Sequence, residues 1–539
     1  MLRNKYILKK RFSLLALALL LTMFLSNTSC TSEFEKWNTN PNEATSEMMQ
    51  RDNLLTGSFF VQMEKNVFVV GEGHDADYQI IQNLAGDVYS GYFGACGLWY
   101  GNANNTTYKL ISDWYNAEFN RSYTNIMTPW ILIKKATQKE SAQTFALATI
   151  VKVAAMHRCT DMYGPIPYKN FGNGSLKASY DSQKDVYYTF FDELNNAIDN
   201  LTDFNAKNPD ATILADYDFI YGGRVVSWIK FANSLKLRLA MRLAYADPTK
   251  AQKEAESAVN HSIGVMTSST DVAQLVHSSS MNYNHPIYVI NNNFDDTRMG
   301  AMMDSYLNGF KDPRISAYFK TASDGLYRGI RNGINITNKG VYSKGPFSSI
   351  NFTERTALVW MNPAEIYFLR AEGALRGWNM GGTAQTFYET GIKTSCAYWG
   401  ASGENTYIAD GISIPAAYTD PENTGNNVSS TSALLSTRTI KWDDAAVFEQ
   451  KLERVMIQKW ISMFPDGQEA WSEFRRTGYP KVFPVVVNNS GGTINTDKQI
   501  RRLPFPSTEY TSNSAEIAKA VTLLGGTDNG GTKLWWDKK

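Results

Sequence analysis

The sequence predicts a mainly α-helical protein built from helix–turn–helix pairs, with a loop-rich portion set between them. Three observations support this. Apolar residues recur at helical spacing in long runs over 144–159, 181–201, 225–246 and 363–399. The run over 363–399 forms one helix–turn–helix of about 35 residues, the length of a tetratricopeptide unit. The pattern then fades over roughly 270–360 and again over 400–440, where Asn, Gly, Ser, Thr and Tyr dominate.

The chain opens with Arg3, Lys5, Lys9, Lys10 and Arg11 and no acid. A 14-residue apolar run, Phe12–Leu25, and the small polar cluster Ser26–Cys30 follow. A basic start, a short apolar core and small residues before a cut make a secretory signal. The run falls short of the ~18–20 residues that span a bilayer. Residues 31–45 read as a tether, with Asn40-Pro41 opposing regular structure. A helical pattern starts near 46.

Thr144–Cys159 is apolar around most of its circumference, the mark of a helix buried on several sides. Gly164-Pro165 stops it. Asp181 or Ser182 can cap the next helix, which carries Val186, Phe190, Leu194, Ile198 and Leu201 on one stripe. Val225–Ala246 is apolar at Trp228, Phe231, Leu235, Leu239 and Leu243, and ends at Asp247-Pro248. Pro363–Gly377 begins with a tolerated first-turn proline. Its partner beyond Gly381-Gly382 runs Ala384, Phe387, Tyr388, Gly391, Ile392, Ser395, Cys396 and Trp399, with Gly391 allowing close approach. Between 270 and 360 only Met299–Phe310 is helical in pattern. Further helices are expected at 446–464 and Ser514–Leu523. The resulting division is signal 1–29, tether 30–45, helical part 46–270, irregular part 271–360, helix pair and charged block 361–480, and a C-terminal part 481–539.

Removing residues 1–29 turns a net charge of +1 into −4, from 48 Lys+Arg against 52 Asp+Glu, which offers no basic footprint for nucleic acid. Cys96, Cys159 and Cys396 are an odd, widely spaced set without disulfide or metal spacing, and are expected in the core. Aromatic residues reach 13% and charged ones only 19%, a surface suited to neutral, hydroxyl-rich ligands and to protein contacts. No HExxH, GxSxG or GxxxxGK[ST] occurs, so zincin, serine-hydrolase and P-loop chemistries lack their motifs, and no catalytic or metal-binding residue is assigned.

The richest ligand-like stretch is Gly91–Tyr115. It holds Tyr92, Phe93, Trp99, Tyr100, Asn102, Asn104, Asn105, Tyr108, Trp114 and Tyr115. Ring faces suit the C–H faces of sugars, and Asn supplies a donor and an acceptor for neighbouring hydroxyls. Two or three rings at about 1 kcal/mol each, plus hydrogen bonds, correspond to millimolar to micromolar affinity. Within it, Trp114 and Tyr115 are assigned to the core and the Leu98–Asn105 loop to the surface. Trp99, Tyr100, Asn102, Asn104 and Tyr108 are the first candidate contacts. Two runs in the irregular part add Tyr283 with Asn284, and Tyr327 with Arg328. Trp378, Trp399, Trp460 and Trp471 read as core. Glu72-Gly-His74-Asp75-Ala-Asp77 reads as a solvated loop, with cation binding as the alternative. Asp295-Asp296 is a weak glycosidase pair, because neighbouring side chains diverge.

Cys30 after small residues resembles the lipobox of bacterial lipoproteins, with Asn27 where an aliphatic residue is usual. That resemblance implies a lipid-modified Cys30; one acyl chain binds a membrane only marginally, and several hold it permanently. Blocks in fixed order resemble the SusD/RagB family of nutrient-binding outer-membrane lipoproteins. They are Phe34–Asn42, Asp161–Tyr168, Trp228–Arg242, Asp312-Pro-Arg314, Asn362–Glu372, Gln458-Lys-Trp460, Gln468–Arg476 and Arg502–Pro506. The blocks themselves read as core and capping positions. The resemblance implies a right-handed superhelix of tetratricopeptide-like pairs with a loop-rich ligand-binding half. It implies a surface-exposed lipoprotein that captures oligomeric nutrients, usually glycans and sometimes peptides, for a partner TonB-dependent transporter of the SusC type. The leading reading is a non-enzymatic glycan receptor. An oligopeptide receptor, a surface glycoside hydrolase and a pure scaffold are the alternatives. No cofactor is expected, and a structural calcium ion stays open.

Overall fold

A computed structural model describes residues 53–539 apart from 72, 102 and 176. The signal, the tether and Cys30 lie outside the described residues, as does Asn102. The helices are α1 Leu54–Val67, α2 Ser112–Ser122, α3 Thr128–Thr137, α4 Ala142–Tyr163, α5 Gln183–Lys207, α6 Val225–Arg242 and α7 Pro248–Val259. Then come α8 Ala301–Phe310, α9 Pro363–Leu375, α10 Ala384–Tyr398, α11 Phe448–Ser462, α12 Gly467–Thr477 and α13 Ser514–Leu524. None of the described helices is long and apolar enough to cross a membrane.

The scaffold is a stack of helix hairpins. α4 packs on α5, α6 on α7 and α9 on α10; α5, α6 and α9 lie in sequence against one another, and α11 closes on α9 and α10. Each turn has a local cause. Gly164, at φ 87°, ends α4. The Ser182 hydroxyl caps α5 by accepting from the Asp185 N–H at 3.1 Å, while Asp181 accepts from the Tyr168 and Lys169 N–H groups and closes the preceding loop. Asp247 caps α7 and Asn362 caps α9, each before a first-turn proline. A Cβ on Gly391 would sit 2.8 Å from the Phe368 ring, which explains the glycine in the α9–α10 seam. Cys96, Cys159 and Cys396 are buried free thiols.

The charged blocks form the interior mortar. The Arg238 guanidinium donates to both oxygens of Glu365, at 2.8 and 2.5 Å. Arg242 donates to Asp161, Glu469 and Glu473 at once. Arg476 grips both oxygens of Glu372 and bonds Glu473, and Lys459 lies 3.1 Å from Glu473. Arg314 holds Asp312, Gln458 and Ser395. All of these side chains are buried. The network ties α6, α9, α11 and α12 together. The facing cations hold the Glu469 carboxyl down to about 2 and Glu473 well below its usual range, against the opposing effect of burial.

The loop-rich portion carries two small antiparallel sheets among the described residues. β1 (Phe93–Ala95) pairs with β3 (Thr297–Met299), Phe93 opposite Met299; β2 (Ala273–Leu275) pairs with β4 (Leu358–Met361). A wide π-helical segment, Gln79–Asp87, leads into β1 and lies on α12. Backbones meet there: a Cβ on Gly86 would fall 2.5 Å from the Gln468 nitrogen, and one on Gly467 2.3 Å from the Asp87 Cα. The charge network thus seats α12, α12 seats the π segment, and that segment aims β1 and the loop beyond it.

Candidate functional site

The loop after β1 reverses direction at Trp99. Its φ is 54°, and the Tyr100 N–H donates to the Leu98 carbonyl two residues back at 2.6 Å. A tight turn with a positive-φ residue at its centre is a strained form, most unusual for a bulky side chain. Leu98 anchors one end in a small apolar cluster with Cys96, Ile330, Ile334, Ile336, Tyr342 and Phe347. Asn104 anchors the other. Its Oδ1 accepts from the Thr106 N–H at 2.9 Å and the Thr106 hydroxyl at 2.7 Å, and its amide donates to the Gly97 carbonyl at 3.3 Å.

Between the anchors, Trp99 is 44% and Tyr100 48% exposed. Both meet Trp114 edge-on, with ring centroids 6.3 and 5.5 Å apart and interplanar angles of 72° and 76°. The result is a three-ring platform open to solvent. Beside it, Lys339 donates to the Phe294 carbonyl at 2.7 Å and pairs with Asp296. Asp296 also accepts from Gln79 at 2.8 Å, and Asp295 pairs with Arg298 and Lys344. Burial pushes the Cys96 thiol beneath the loop up to about 12. The arrangement offers flat apolar faces, and the neighbouring Asp295 and Asp296 are engaged in ion pairs.

Several expected positions land elsewhere. Trp114 and Tyr115 are half-buried rather than core, and Trp114 is a member of the platform. Among the described residues of the Leu98–Asn105 loop, Trp99, Tyr100 and Gly101 are exposed, while Leu98, Ala103, Asn104 and Asn105 are buried and hold it. Asn104, at 0% exposure, supports the loop with every polar atom engaged. Tyr108 is buried but lines a separate cleft. Tyr283 is buried, its hydroxyl donating to the Leu275 carbonyl at 2.8 Å, while Asn284 is exposed. Tyr327 and Arg328 are half-buried, Arg328 pairing with Asp324 and Asn308 of α8 donating to the Tyr327 carbonyl. Among the described residues no ring contact joins Tyr283 or Tyr327 to Trp99. In the acidic loop, His74 and Asp77 form an ion-pair cluster with Arg121, while Glu72 lies outside the described residues. Trp460 and Trp471 are core, and Trp399 is half-buried.

The sequence matches the profile of SusD-like proteins, "SusD and RagB outer membrane lipoprotein", over residues 36–537. No curated protein matches. Among solved structures, one described as a chitin-binding SusD homologue from Flavobacterium johnsoniae is 42% identical, with a TM-score of 0.86, covering 90% of this chain and 99% of its own. A SusD homologue from Bacteroides uniformis is 38% identical (TM-score 0.82; 90% and 100% covered). A SusD-like protein from Bacteroides thetaiotaomicron is 35% identical (TM-score 0.83; 90% and 99% covered). With its hairpin stack, its ordered charge blocks and a profile match over nearly its whole length, the chain belongs to the SusD-like family.

Proposed function

We propose that this protein is a non-catalytic glycan receptor, acylated at Cys30, exposed at the surface of the outer membrane, and passing oligosaccharides to a TonB-dependent transporter of the SusC type. The platform of Trp99, Tyr100 and Trp114 carries the reading: exposed rings held on a strained, doubly anchored turn match the chemistry of sugar C–H faces. The 42% identity to a chitin-binding homologue makes N-acetylglucosamine oligomers the first ligands to try. A hydrolase reading has less support, since Asp295 and Asp296 are both committed to ion pairs. The peptide reading has less support too, because Lys339, the cation beside the platform, is already engaged.

The test is calorimetry on the full-length protein with chitin, cellulose, starch and xylan oligosaccharides and a mixture of short peptides. At least one glycan should bind with micromolar to millimolar Kd, and Trp99→Gly should weaken it by about fivefold or more without unfolding. No binding by any glycan, or equal binding by the variant, contradicts the proposal.

A further inference from the structure

A second polar surface lies around the corner from the platform. A cleft of about 620 Å³ is lined by Tyr115 and by residues of the 489–530 segment. Trp114 faces the platform, and Tyr115 sits one position on in α2, about 100° further round the helix. The chain that carries Trp99 and Tyr100 runs on through the Asn104-capped turn to Lys109, which also lines the cleft. The two surfaces therefore share one loop and one helix end.

The cleft is built like a binding site. Tyr510 is 45% exposed, yet its ring is fixed, because its hydroxyl donates to Asp528 at 2.7 Å. Asp528 is held in turn by Arg502 at 2.5 Å and by the Phe505 N–H at 3.0 Å. Around this ring stand unused polar groups. The Lys109 ammonium and the Asn489 amide have no partner among the described residues. Asn529 accepts from Gly531 and Thr532 through its Oδ1 and keeps both amide hydrogens free. Arg502 balances the Asp528 charge, so besides the Lys109 ammonium, which can donate to hydroxyl oxygens, the cleft offers ring faces and amide donors. We infer that this cleft is a second saccharide subsite, taking the neutral, hydroxyl-rich end of an oligosaccharide whose other end lies on the platform. This rests on the glycan reading above and adds to it a dependence on chain length.

The test is calorimetry of the full-length protein with the di- and hexasaccharide of N-acetylglucosamine, each variant's melting temperature being checked alongside. Tyr510→Ala should weaken the hexasaccharide roughly five- to tenfold and leave the disaccharide within about twofold. Asn489→Ala, at an exposed position, should act in the same direction by about threefold, while Trp99→Gly weakens both ligands. If Tyr510→Ala and Asn489→Ala both bind the hexasaccharide like the wild type, the second subsite is wrong while the platform stands. Should Trp99→Gly be silent and Tyr510→Ala not, the cleft stands and the platform falls. Failure of the wild type to bind these oligomers or any other glycan of the panel above ends both.

Discussion

Trp99 combines two unfavourable features, an apolar ring left half in water and a backbone φ of 54°. The left-handed conformation costs a residue with a Cβ about 1–2 kcal/mol relative to glycine. Trp99→Gly should therefore be more stable than Trp99→Ala by about 1 kcal/mol in denaturant melts, although both lose the ring. Equal stability would mean that the turn relaxes in solution. Asp87 gives a second residue-level test. It is fully buried, accepts from Gln82 at 2.8 Å, and burial pushes its carboxyl up to about 8. A carboxyl with a raised folded pKa stabilises when protonated, so its contribution falls as pH rises from about 4 to about 8. Asp87→Asn should flatten that fall in melting temperature; an unchanged slope would show that Asp87 is ionised in the folded protein. The exposed rings were legible in the sequence as aromatic residues flanked by glycines. The role of Asn104 was not, since an Asn that meets a ligand and one that caps a turn look alike until the turn's N–H groups are placed.

The elements were legible where periodicity is strong: α5, α6, α9 and α10 begin and end close to their caps and prolines. The charged blocks were harder to read. Gln468–Arg476 was legible as a core block, and every residue of α12 is buried, but which groups its charges meet was not. Its acids meet Arg242 and Lys459 from other parts of the chain, up to 231 positions away, as well as Arg476 one turn along the same helix. No local pattern announces such a network. Its energetics are lopsided: an intact buried ion pair contributes little net stability, but removing one partner strands the others. Arg242→Met should lower stability by roughly 3–5 kcal/mol, because Asp161, Glu469 and Glu473 lose their shared cation. Arg242→Lys should rescue little, since an ammonium lacks the planar fork. A denaturation midpoint close to wild type for Arg242→Met would contradict this.

For the whole molecule, the hairpin stack is the mount, and the loop after β1 with the first turn of α2, both within the part read as helical, presents the rings. The family was readable from blocks in order along the chain, and the comparisons agree with that reading. The ligand was not readable, because it depends on which rings reach water, and that is fixed by long-range packing such as Ile330 against Leu98. The proposed lipid anchor has its own test: Cys30→Ala should shift the protein from the membrane pellet to the soluble fraction, and unchanged pelleting would remove the anchor from the account. The central claim is tested most directly by a crystal structure of the full chain with its tightest-binding oligosaccharide. The account predicts a sugar ring lying flat on Trp99 or Tyr100. A ligand ordered only at a site remote from both rings, with the platform bare, would contradict it.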